Sequence, residues 1–115
     1  MSELSEHIDN EIEAARRREE DGRLDDAFVH LERAHVLGQA STSQHTRIHW
    51  RMLKLGFKMH SPREMWGQII RIIGAATKTP LGIYPIGNIG SSKVWFFAPM
   101  PVPRELQEML DKDKM

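Results

Sequence analysis

LDDAFVHLERAHVLGQASTSQHTRIHW, residues 24–50, joins a strong helix pattern to four of the chain's six histidines. Leu24, Ala27, Phe28, Leu31, Ala34 and His35 recur at the three- and four-residue spacing of one buried helix face, which puts His35 inside an apolar stripe. His30 falls on the flank of that stripe, where burial is not required. Gly38 is placed to end the helix as a left-handed cap, and Ser41, Thr42 and Ser43 offer N-cap oxygens for the next one. The stretch therefore predicts two antiparallel helices joined by a short turn. In the second helix His45 and His49 are four apart, so they share a face with Cβ atoms about 6 Å from each other. Ile48 and Met52 flank that face. If it packs on the stripe that carries His35, three imidazoles meet in one seam.

Outward from this hairpin the chain continues to read as helix. Glu3 to Asp21 is polar and rich in charge, with Ile8, Ile12 and Ala15 as a narrow apolar edge, and Asp21–Gly22 break it. Ser61, Pro62 and Glu64 make a capping-box start for a further helix. Its Met65, Trp66, Ile69, Ile70 and Ile73 form a broad apolar stripe expected to lie in the core, with the helix ending from Gly74 onward. Expected helices are thus 4–20, 24–37, 43–57, 62–75 and, opened by Pro103, 103–111, docked through Leu106, Met109 and Leu110. Gly22, Leu24, Ala27, Leu31, Ala34 and Leu37, after the small pair Ala14–Ala15, resemble one tetratricopeptide repeat. A 34-residue shift carries Gly22 onto Gly56, although Ser61, Met65 and Gln68 make the second copy degenerate. The fold class expected is all-α: tetratricopeptide-like helical hairpins over 8–75 within one domain spanning 1–115.

Between the last two helices, residues 76–102 read as an irregular wrapping segment. Gly82, Pro85, Gly87, Asn88 and Gly90 forbid a helix, Val94–Phe97 is a short apolar run of strand type, and Tyr84, Trp95, Phe96 and Phe97 are expected to cover the helices. The glycines could form an anion-binding nest, but no GK[ST] and no strand–loop–helix context accompany them.

The formal net charge of zero hides a segregation, with residues 1–41 carrying 11 acidic and 5 basic side chains and residues 42–79 carrying 1 and 7. No nucleic-acid motif or aromatic–basic platform accompanies Arg47, Arg51, Lys54, Lys58, Arg63, Arg71 and Lys78, so their expected counterpart is the acidic N-terminal part of the same molecule rather than nucleic acid. There is no cysteine, which excludes disulfides and thiolate metal sites. No run of about 18 apolar residues and no basic, apolar leader is present, so a soluble cytoplasmic protein is expected, with no membrane span.

HLERAH, the HxxxH of His45 and His49, Gly67–Gln68, PIGNIG and PMPVP together look like a family of small bacterial proteins of unknown function, over roughly residues 8–110. The resemblance implies a shared role for the histidines without naming it. Neutral imidazoles suit Zn, Ni or Cu(II). The candidate ligands are His35, His45 and His49, with His30 or Glu32 as a fourth. A three-histidine zinc can activate water, with Glu32 the candidate base, yet no nucleophile elbow, phosphate loop or HExxH is present, and the reading leans away from an enzyme. The competing class is a helix-repeat module that binds a protein partner and keeps its histidines for structure.

Overall fold

The computed structural model describes residues 2–95 and 98–114. Its regular elements are α1 (Glu3–Glu20), α2 (Leu24–Gly38), α3 (Thr42–Lys58), α4 (Pro62–Lys78), a 3-10 turn at Thr79–Leu81, and α5 (Arg104–Asp113). Hydroxyl caps start three of the helices: Ser2 accepts from Ser5 N, Ser41 from Gln44 N and Ser61 from Glu64 N. Gly22, at φ +77°, makes the left-handed turn between α1 and α2.

Helices α1 and α2 pack as one hairpin, α3 and α4 as a second, and the α2–α3 contact joins them. Ile8, Ile12 and Ala15 meet Phe28, Leu31 and Leu37, while Ile48, Met52 and Leu55 face them from α3. Ala34 is fully buried, as expected of a small side chain where helices approach closely. Helix α5 lies against α1 and α2, with Leu106 buried and Met109 and Leu110 partly so. Arg33 ties the three together by donating to Glu11 and Glu105, each at 2.9 Å. The acidic α1 also meets the basic α3, through Asp9–Arg47 at 3.0 Å and Glu19–Lys58 at 3.3 Å. No helix among the described residues is long and apolar enough to cross a membrane.

Four expectations are corrected. Gly38 is the last residue of α2 and not a left-handed cap, since the right-handed Gln39 follows as C-cap; glycine is needed there because a Cβ would come within 3.0 Å of Ile48 Cδ1 and 3.1 Å of Gln44 Cβ. Its missing side chain lets α3 begin close by. The 34-residue shift does not give the hairpin register, since α3 starts 39 residues after α1 and α4 starts 38 after α2; Gly56 sits within α3 against Glu64. Helix α4 runs to Lys78, because Gly74 is tolerated and the helix gives way only at Pro80, in the 3-10 turn. Its apolar stripe faces outward, with Trp66 68 %, Ile70 55 % and Ile73 61 % exposed, while Glu64, Gln68 and Ala75 face inward.

The wrapping segment is irregular, and among the described residues it contains no strand: Val94 lies in a bend. Trp95 is exposed rather than covering the helices, and Phe96 and Phe97 lie outside the described residues. Asn88 holds the segment together instead. Its Nδ2 donates to the carbonyls of Trp95 and Ala98 at 2.9 and 2.8 Å, and its Oδ1 accepts from Gly90 N at 2.8 Å. Gln39, in the α2–α3 turn, pins it to the hairpins by accepting from Gly87 N at 3.1 Å and donating to Pro85 O.

Candidate metal centre

His35 comes from the buried stripe of α2, and His45 and His49 from successive turns of α3, so the α2–α3 seam brings three imidazoles together. All three are buried. His35 Nε2 lies 2.9 Å from His45 Nε2 and 3.1 Å from His49 Nε2, and one ligand atom from each residue falls within a 4.8 Å group. Nitrogens bound tetrahedrally at about 2.0–2.1 Å from a zinc ion lie roughly 3.3–3.4 Å apart. An outward shift of a few tenths of an ångström would therefore admit an ion.

The opposite edge of each ring is held by a polar partner. His35 Nδ1 lies 2.6 Å from Asn88 O, which can only accept, so Nδ1 carries the proton and Nε2 a lone pair. His49 Nδ1 lies 2.6 Å from Gln68 Oε1. That amide cannot be reversed, since Gln68 Nε2 donates to Glu64 Oε2 at 2.7 Å and to Gly90 O at 2.8 Å. Nδ1 of His49 is thus the donor and its Nε2 is also a bare lone pair. His45 Nδ1 meets Thr79 Oγ1 at 2.7 Å. Even if the Thr79 hydroxyl donates, so that His45 Nε2–H can donate to His35, the lone pairs of His35 and His49 still confront each other at 3.1 Å. No arrangement of protons on neutral rings turns both Nε2–Nε2 contacts into hydrogen bonds. A cation in their midst satisfies the lone pairs instead.

Burial keeps the rings neutral. It lowers the pKa of His45 to about 4 and that of His49 to about 3, where the charge of His45 adds to the effect; it takes His35 well below the usual value, aided by its two neighbours.

His30 does not join the group. Five residues before His35 it is rotated by about 140° around the helix, and its Nδ1 lies 2.9 Å from Glu11 Oε2 on α1. Glu32 is buried on another side, near Ser91 and Lys93, and burial raises its pKa. The orienting residues Gln68, Thr79, Asn88 and Glu64 were not singled out as site residues in the sequence, because they share no spacing. Glu64 was expected only in a capping box; its carboxylate instead accepts from Ser92 N and Oγ at 3.0 and 3.1 Å and supports Gln68. The usable signal was PIGNIG. A Cβ on Gly90 would come within 2.5 Å of the His35 ring, and one on Gly87 within 1.9 Å of Met100 O.

Fold and site define a protein of paired helical hairpins with a buried trihistidine group able to hold a metal ion. The chain belongs to the family described as "Protein of unknown function (DUF3703)", whose model matches residues 2–110. No curated protein and no solved structure matches it.

Proposed function

We propose that this protein binds one first-row divalent ion, Zn, Ni or Cu(II), through Nε2 of His35, His45 and His49. The observation that carries the reading is the set of Nδ1 partners: Asn88 O and Gln68 Oε1 turn two lone pairs inward, and Thr79 Oγ1 is placed to do the same for the third. Outer hydrogen bonds of this kind fix the tautomer and raise ligand basicity in metal-bound histidines. Three imidazoles without thiolates suit these metals, and a three-ligand set leaves a coordination position open. A cytoplasmic address belongs to this reading and is supported by a chain without cysteine.

Metal content of untagged protein, before and after incubation with each ion, tests it together with melting in the presence and absence of chelator. The expected result is one ion per chain, a melting temperature lowered by chelator, and loss of both in His45→Ala and His49→Ala. A wild type that takes up no stoichiometric ion and melts identically with chelator overturns the reading.

A second reading, a module that docks a protein partner, is favoured by the outward apolar face of α4 at Trp66, Ile69, Ile70 and Ile73. Ile70 and Ile73 of that face also border the space beside the histidines, so a docked partner would lie next to the metal site.

A further inference from the structure

The three histidines form one wall of a cavity of about 440 Å³, within the range of roughly 300–1,000 Å³ common for small-molecule sites. Hydrocarbon dominates the other walls, supplied by Ile70, Ile73 and Ala75 of α4 and by Ile83, Tyr84 and Pro85 beyond it. Among the described residues no Asp or Glu lines the cavity, whereas Arg71 and Lys78 do. Arg71 spends its Nη atoms on the carbonyls of Gly67 and Val94, and its buried Nε has no acceptor among the described residues. Glu64 is occupied by Ser92 and by Gln68, which stands between it and His49.

A dication held by three neutral imidazoles keeps both of its charges, and here two further cations stand in the same walls. A dication among buried imidazoles finds no carboxylate in the cavity walls, which is unfavourable, so the anion has to come from outside. Resting on the metal reading, we propose that the cavity takes a monocarboxylate with an apolar tail, one carboxylate oxygen filling the open position on the ion and the tail lying against Ile70, Ile73 and Ile83. At about 30 Å³ per water-sized group, 440 Å³ accommodates on the order of fifteen groups. A medium chain or a single ring fits. Phosphate and other ions without a tail would leave the hydrocarbon walls wet.

The test is titration of Co(II)-loaded protein at neutral pH with octanoate, acetate and 1-octanol, following the visible bands of the ion. Octanoate is expected to shift the bands at concentrations lower than acetate by about tenfold or more, because only it buries methylenes. Octanol is expected to leave the bands unchanged, and Ile73→Asp to weaken octanoate by a similar factor. Octanoate no tighter than acetate, octanol as effective as octanoate, or octanoate binding equally to metal-free protein each overturns the proposal while leaving the metal reading intact. A protein that takes up neither Co(II) nor any of Zn, Ni and Cu(II) overturns both.

Discussion

Gly90 shows how much can depend on a missing side chain. It sits at φ +86°, and a Cβ would reach within 2.5–2.8 Å of three atoms of the His35 imidazole. That ring is hydrogen-bonded to Asn88 O on one edge and packed against two further imidazoles on the other, so it has little room to yield. Gly90→Ala should cost about 1–3 kcal/mol from the backbone conformation alone, and it should lower metal uptake by displacing His35. Urea denaturation and metal stoichiometry on the same preparation check both parts. The histidines give a second expectation at this scale. Free imidazole titrates near 6.5, whereas His45 and His49 are held at about 4 and 3. Below about pH 6.5 the unfolded chain takes up protons that the folded chain refuses, so with chelator present stability is full near neutrality and falls as the pH drops toward 4. Each histidine contributes a slope of up to about 1.4 kcal/mol per pH unit. A urea midpoint that stays flat between pH 7 and 5 would contradict the burial of these rings.

Among the elements, α2 and α3 were the most legible. Their apolar spacing places Leu31 and Ala34 in the core, and both are buried. Leu31→Ala should cost about 2–5 kcal/mol by opening a cavity, and Ala34→Leu about 1–3 kcal/mol by overpacking the helix contact; both are read from the denaturation midpoint. Periodicity also put His35 in the buried stripe of α2 and His45 and His49 on one face of α3, because position on a helix is a property of sequence spacing; that the two faces meet came from the packing. Helix α4 was misfaced for an instructive reason. Trp66, Ile69, Ile70 and Ile73 carry the pattern of a core helix, yet Glu64 and Gln68 occupy the inward side because they serve the histidine group. Polar residues that satisfy a buried site invert the usual rule, and a pattern of hydrophobicity cannot report it. Asn88 and Thr79 were hidden differently, since loops have no period to read.

For the molecule as a whole, the outward face of α4 gives a discriminating measurement. Trp66 is 68 % exposed, so Trp66→Gln should change stability by no more than about 0.5 kcal/mol, whereas a core tryptophan would lose about 3–5 kcal/mol on truncation. Should the same substitution alter elution from a sizing column, this face makes contacts between copies.

The three histidines lie within fifteen positions of one another, but Gln68, Thr79 and Asn88, which orient them, arrive 19, 34 and 53 residues after the rings they hold. Ligands are local while their supports are distant, and closing the longer loops comes later because its entropic cost grows with separation. An ion would therefore meet the imidazoles while they still rotate freely, bind loosely, and be locked in only when the Asn88 segment closes over His35. Capture and tightening become separate kinetic events. Mixing unfolded protein, denaturant diluent and Co(II) in a stopped-flow cell should give a fast absorbance phase that depends on metal concentration, followed by a slower one that does not. Asn88→Ala should slow or remove the second phase and spare the first.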